Sequence, residues 1–208
     1  MNSTEQELEI KFAIRNLKAI ENKLQSLAAE PIQPRVYERN LRFDRPDGSL
    51  TRAHQVLRLR QDDKVHLTYK GPAQSGKAIT MRTEIEFEAS DFDAADHFLQ
   101  ALGYEVSVMY EKFRAMYQLK NVIVTLDELP YGDFVEIEGP GETAIRRTAQ
   151  ILGLNWEARI TASYLALFEL LKTSRHLSAH NLNFDEVKKS EITPFDLGVQ
   201  FGDPLPET

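Results

Sequence analysis

Glu7-Leu8-Glu9-Ile10-Lys11 is the stretch whose reading decides the fold. A β-strand turns successive side chains to opposite faces, so residues two apart point the same way. Drawn as a strand, Glu7, Glu9 and Lys11 share one face, and Leu8, Ile10 and Phe12 share the other. The pattern returns in Val56-Leu57-Arg58-Leu59-Arg60, in Thr68-Tyr69-Lys70 and in Arg82-Thr83-Glu84-Ile85-Glu86-Phe87-Glu88. It returns again in Lys112-Phe113-Arg114 and in Phe134-Val135-Glu136-Ile137-Glu138. Six strand candidates thus carry charge on one side and apolar or β-branched residues on the other.

Working outward, the chain reads as strands over about 5–15, 35–43, 53–61, 64–70, 80–88, 105–118, 121–128 and 132–138. Helices fit about 16–29, 91–102, 142–152 and 158–173, with Leu17, Ile20, Leu24 and Leu27 as the buried stripe of the first. Asp91 is the expected N-cap of the second and Gly103 its terminator. Asp44-Arg45-Pro46-Asp47-Gly48 is a turn signal, and Asp62-Asp63 is short enough for a tight hairpin. Such hairpins favour antiparallel pairing, with one buried apolar face and one polar face. The helices are expected outside, against Leu8, Ile10, Leu57, Leu59, Phe113, Val135 and Ile137. Periodicity alone does not say whether the charged face lies inside a barrel or outside it. Residues 1–173 form the expected domain, and 174–208 an extension that partly docks on it.

With 208 residues and 42% hydrophobic content the chain can bury a full core. A net charge of −7 argues against a broad basic surface for nucleic acid, so any anion site must gather its cations in a recess. The chain has no cysteine, which excludes disulfides, thiolate catalysis and zinc-thiolate centres and fits a cytoplasmic location. No secretory signal and no apolar run of membrane-spanning length is visible, so no membrane partner is expected. The five histidines show no metal spacing; His66 shares parity with Thr68 and Lys70 but reads as structural, as does Trp156. The loop Gly71 to Gly76 is not a phosphate-binding P-loop, since no Gly-Lys-Ser/Thr opens a helix there.

The charged face has a chemistry of its own. Arg-x-Arg and Lys-x-Arg set like charges side by side, which a surface that only needed to be wet has no reason to do. A shared polyanion removes the repulsion, because phosphate oxygens accept forked bonds from Arg and the point charge of Lys. Clustered carboxylates likewise repel unless a hard cation sits among them, and Mg²⁺ takes oxygen ligands together with substrate phosphates. The competing reading is a solvated face whose cross-strand ion pairs contribute little.

These segments, in this order, resemble the CYTH superfamily, the class IV adenylyl cyclase and thiamine-triphosphatase group. The likeness spans about residues 5–170. It rests on Glu7-Leu8-Glu9-Ile10-Lys11, Leu57-Arg58-Leu59-Arg60, Leu67-Thr68-Tyr69-Lys70-Gly71-Pro72 and Arg82-Thr83-Glu84-Ile85-Glu86. Lys112-Phe113-Arg114, Asp127, and Gly132 through Gly139 complete it, and Ser163-Tyr164 resembles the cyclase-like branch. The resemblance implies an α+β fold: a closed eight-stranded antiparallel β-barrel, a triphosphate tunnel with the charges inside and helices flanking it. It implies Glu7, Glu9, Asp127, Glu136 and Glu138 as ligands of Mg²⁺ or Mn²⁺, and Lys11, Arg58, Arg60, Lys70, Arg82, Lys112 and Arg114 as the phosphate clamp. Glu84, Glu86 and Lys70 are the implied catalytic residues, the two acids orienting the arginines or a metal-bound water. Arg42 departs from the pattern, standing where an aromatic is more usual.

Two activities fit this set. The likeness favours a class IV adenylyl cyclase, which would hold ATP with its 3′-hydroxyl facing the α-phosphorus and release pyrophosphate; the alternative, a triphosphatase, would hold tripolyphosphate, a nucleotide or thiamine triphosphate for attack by water. A non-catalytic polyphosphate or nucleotide receptor is the third reading, and the acidic set weighs against it. Either a monomer or a homodimer is compatible with the pattern.

Overall fold

The structure, a computed structural model, describes residues 5–72 and 80–204. Eight strands and five α-helices follow one another as β1 (Glu5–Ile14), α1 (Leu17–Ser26), β2 (Glu30–Asp44), α2 (Ser49–Arg52), β3 (Val56–Gln61), β4 (Val65–Lys70) and β5 (Thr80–Ala89). Then come α3 (Phe92–Ala101), β6 (Glu105–Leu119), β7 (Val122–Leu129), β8 (Gly132–Glu138), α4 (Glu142–Ile151) and α5 (Tyr164–Arg175). The loop expectation at Gly71 to Gly76 falls mostly outside the described residues, as does the reading of the first four residues, and so does the side chain of Glu7.

Local chemistry sets the boundaries. Asn16 caps α1 by accepting from Ala19 N at 3.0 Å, and Asp91 caps α3 through Ala94 N at 2.7 Å. The turn expected at Asp44–Gly48 continues into α2, because the Asp44 carboxylate accepts from Leu50 N at 2.9 Å and Thr51 N at 3.0 Å. β3 consequently begins at Val56 rather than near residue 53. The last helix begins at Tyr164 rather than near 158, capped by Ser163, with a separate 3₁₀ turn at Trp156–Ala158 before it.

All pairings between these strands are antiparallel, in the order β1-β5-β4-β3-β2-β6-β7-β8, and β8 returns to β1. The strands close into a barrel through β1, and that closure is uneven. β1 gives Glu5–Glu9 to β5 and Glu9–Ile14 to β8, so the two seams share only Glu9. Beyond Glu9 the second edge of β1 is taken by irregular late chain instead of β5. Lys11 and Ile160 exchange backbone bonds of 3.1 and 2.8 Å, and Gly202 N donates to Ala13 O at 2.7 Å. The rolled sheet is also stopped at one end. Ala13, Leu129 and Phe134, on the inward face, pack with Tyr164, Leu167, Phe168 and Leu171 of α5.

Outward-facing residues make two further cores. Ile10, Phe12, Val135 and Ile137 pack with Ile20 and Leu24 of α1 and Ile145 of α4. Leu41, Phe43 and Leu59 pack with Phe92 and Leu99 of α3, and Leu57 joins them partly buried. Phe113 is covered by no helix: its ring meets Tyr37 at 5.6 Å and Phe184 of the late chain at 5.4 Å. Among the described residues no helix is long and apolar enough to cross a membrane.

The late chain is stitched to the sheet through buried groups. Leu182, Val187 and Leu197 are buried, and the Asp203 carboxylate accepts from Arg15 N at 2.9 Å and Asn16 N at 3.0 Å, at the start of α1. Asp203→Ala leaves both donors without that partner, which costs roughly 1–3 kcal/mol. Urea unfolding should show a lower midpoint with little change in slope; an unchanged midpoint would remove this anchor.

Candidate active site

Inward residues of all eight strands, Thr125 from β7 included, line one cavity of about 490 Å³. The lining holds eight cations (Lys11, Arg42, Arg58, Arg60, Lys70, Arg82, Lys112 and Arg114) against five carboxylates (Glu9, Glu84, Glu86, Glu136 and Glu138). The excess is positive although the chain as a whole is negative, so the cavity is an electrostatic trap for an anion. Ser163, Tyr164 and Leu165, where α5 begins, complete one side of it.

The charges fall into three groups. On β1 and β8, Lys11 Nζ lies 2.6 Å from Glu9 Oε1 and 3.3 Å from Glu136 Oε2. Burial opposes the charge on Lys11, but Glu136 and Glu9 outweigh it and hold its pKa above the ordinary value. Glu9 also meets Arg82 Nη2 at 3.5 Å. On β3 to β5, Lys70 Nζ stands 3.1 Å from Glu84, and Glu86 receives Arg58 at 3.4 Å and Arg60 at 3.3 Å. Thr68 Oγ1 donates to Glu86 Oε2 at 2.6 Å. Burial pushes the Glu86 carboxyl up, yet Arg60, the Thr68 hydroxyl and Arg58 bring it below its ordinary value. His66 stands 3.4 Å from Glu86 and does not line the cavity, in keeping with a supporting place.

The third group lies beneath the cavity wall. Arg114 forks onto Asp127 with bonds of 2.7 and 2.6 Å, and Tyr164 Oη donates to Asp127 Oδ2 at 2.8 Å. Lys112 Nζ sits 3.3 Å from Asp127 and 3.4 Å from Glu38. Both carboxylates are wholly buried, which would favour their neutral forms. Lys112 and Arg114 overcome that and hold each below the usual carboxylate range.

Of the sequence-derived residues, Glu9, Lys11, Arg58, Arg60, Lys70, Arg82, Glu84, Glu86, Lys112, Arg114, Glu136 and Glu138 share the cavity. Asp127 does not; it sits behind Arg114 and Lys112 and belongs to their ion cluster. Among the described residues no three His, Asp or Glu side chains converge as a preformed metal centre. The donor set still suits Mg²⁺, which commonly takes one or two carboxylates and completes its shell with water and phosphate oxygens. Glu9 and Glu138 are cross-strand neighbours, and Glu136 lies two residues from Glu138 on the same face.

Sequence reasoning singled out Arg42 only as a departure from the pattern and missed the rest of the inward row of β2. Glu38 and Asn40 are fully buried, and Arg42 lines the cavity. Their spacing at every second residue was a usable signal, masked by Arg39 on the outer face. Tyr110 was missed as well; its hydroxyl accepts from Arg58 at 3.5 Å. Burial raises that phenol's pKa, but Arg58 and Lys112 outweigh burial and leave it below the ordinary value.

Comparison with known proteins agrees with this arrangement. The family model of the CYTH domain matches residues 5–151. A Methanocaldococcus jannaschii protein named as a candidate adenylate cyclase is 26% identical over 134 residues, 64% of this chain and 75% of that protein. A crystal structure from Vibrio parahaemolyticus, also named as a candidate adenylate cyclase, superposes with TM-score 0.69 at 25% identity, covering 80% of this chain and 99% of the other. A Pyrococcus horikoshii protein superposes with TM-score 0.66 at 28% identity, covering 76% and 97%. The chain belongs to the CYTH-domain family.

The buried cluster makes acid stability testable. Asp127, Glu38 and Glu86 have depressed pKa values, so their contribution is fully present above the ordinary carboxylate range, about pH 4. It is lost as pH falls through their folded-state values. Melting temperature should therefore drop steeply below about pH 4. Asp127→Asn should cost roughly 3–5 kcal/mol at neutral pH, since it removes the nearest counter-ion of Arg114 and one of the two that pair with Lys112, and should flatten the acid limb. A variant as stable as wild type at pH 7 would contradict the cluster.

Proposed function

We propose that this CYTH-domain protein is an enzyme that hydrolyses a phosphoanhydride bond of a triphosphate held in the charged cavity. The observation that carries the reading is the excess of cations in a lining that offers no free aromatic face. Of its two aromatic residues, Tyr164 bonds Asp127 and stacks edge-on against Phe134 at 5.2 Å, and Tyr110 is buried against Arg58. Phosphate chains have sites here; a base has no stacking platform among these residues.

In this reading Lys11, Arg58, Arg60, Lys70, Arg82, Lys112 and Arg114 take the phosphate oxygens. The guanidinium forks and ammonium groups are already aimed by carboxylates, so little reorganisation accompanies charge development on the leaving phosphate. Glu84 holds Lys70, and Glu86 spans Arg58 and Arg60. These three, Glu84, Glu86 and Lys70, set the geometry of attack, with a carboxylate orienting the water. Glu9, Glu136 and Glu138 would hold Mg²⁺ or Mn²⁺, which when bound supplies charge neutralisation between acids and phosphate. Glu7 joins them by its place on β1. Asp127 acts through Arg114 and Lys112.

Cyclisation of ATP is the second reading, favoured by the names of the Methanocaldococcus and Vibrio relatives. Incubation with tripolyphosphate or ATP, with Mg²⁺ or Mn²⁺, separates the readings by product. Orthophosphate is expected. Cyclic nucleotide with pyrophosphate would replace hydrolysis by cyclisation, and unchanged substrate would leave a receptor. Glu136→Gln, which keeps shape and removes charge, should lower turnover on the order of a hundredfold and leave the protein folded with a lowered melting temperature, since Glu9 still pairs with Lys11. Activity that survives thorough chelation would dismiss the metal.

A further inference from the structure

Arg42 stands apart from every other cation of the cavity. Each of the other seven has a carboxylate within 4.0 Å, whereas Arg42 has none among the described residues. Its Nε, like those of Arg58 and Arg60, is buried with no hydrogen-bond partner, but unlike theirs its guanidinium has no carboxylate among the described residues to answer it. On the neighbouring strand it is paired in register with Arg58, so like charges face each other. Two residues back on β2, Asn40 is fully buried and neither of its side-chain polar atoms has a partner.

A half-buried guanidinium without a counter-ion is costly, and a buried donor without an acceptor calls for an occupant. The occupant must be anionic and rich in acceptor oxygens, because Arg42 faces Arg58 in register, lies near Arg82 and the Tyr110 phenol, and has no carboxylate within 4.0 Å among the described residues. Burial, Arg58 and Arg82 pull the pKa of Arg42 down, and the Tyr110 phenol only partly offsets them.

We infer that Arg42 is an anion-binding residue that selects inorganic tripolyphosphate over triphosphates esterified at one end. This rests on the triphosphate reading of the same cavity and adds a residue and a preference to it. Inorganic tripolyphosphate carries one more ionisable oxygen than its ester, and Arg42 is the cation left over to meet it. A nucleoside triphosphate replaces that oxygen with an uncharged ester and brings a base for which the lining has no free aromatic face.

The test is calorimetric binding of tripolyphosphate and of ATP to the full chain, with Mg²⁺ present, for wild type, Arg42→Gln and Arg39→Gln. Arg39 lies on the opposite face of β2, over the Phe92 ring, and its variant should bind as wild type does. Arg42→Gln should weaken tripolyphosphate about 10- to 100-fold, the loss expected for a hydrogen bond between charged groups, and weaken ATP much less. Arg42→Met carries the same comparison if the Gln variant does not fold. Equal weakening of both ligands, or none, overturns the inference and leaves the cavity reading intact. A wild-type protein that binds neither ligand overturns both.

Discussion

Two buried carboxylates, Asp127 and Glu38, and two buried cations, Lys112 and Arg114, form the interaction on which the rest depends. Removing such ions from water costs several kcal/mol each, and the cost is offset only where geometry is good and every ion has a partner. That condition explains several features together. β2, β6 and β7 must lie side by side, since Glu38 faces Lys112 and Arg114 faces Asp127 across adjacent strands. Tyr164 must reach Asp127 from α5, which brings the start of that helix against the sheet interior. Lys112 and Arg114 then present to the cavity cations whose positions are already fixed from behind.

The opposite wall solves the same problem differently. Arg58 and Arg60 repel one another along β3, and the structure relieves this within the protein: Glu86 bridges both, and Glu84 answers Lys70. An incoming anion therefore competes with these carboxylates for most of the cations. The one exception among the described residues is Arg42, on the strand that joins the buried cluster to this wall.

Strand alternation made much of this legible. The inward sets of β1, β3, β4, β5, β6 and β8 reach one cavity because parity along a strand fixes the face. Parity does not fix depth, which is why Asp127 could be grouped with the cavity acids although it lies behind Arg114. β2 was obscured by Arg39, whose outward charge stacks over Phe92 at 5.4 Å and breaks the polar–apolar alternation. The uneven closure was not legible either. Ile160 and Phe201 edge β1 through backbone bonds, and irregular segments carry no periodic pattern by which such contacts could be read.

The late chain is therefore part of the site's foundation, although none of its described residues after Leu165 lines the cavity. Tyr131 Oη donates to Tyr164 O at 2.8 Å, which fixes the first residue of α5 beneath the ion cluster. The far end of the same helix is held by the extension, where Arg175 meets Asp196 at 2.8 Å and Ser174 Oγ donates to Asp196 O at 2.8 Å. Between these ends Leu167, Phe168 and Leu171 bury themselves with Leu182, Val187 and Leu197. A helix pinned at both ends and packed along its length cannot slide without pulling the Tyr164 hydroxyl from Asp127. The depth of the cavity is thus set by packing contacts well outside it, and the charge pattern of the strands acquires its geometry only once this helix is seated.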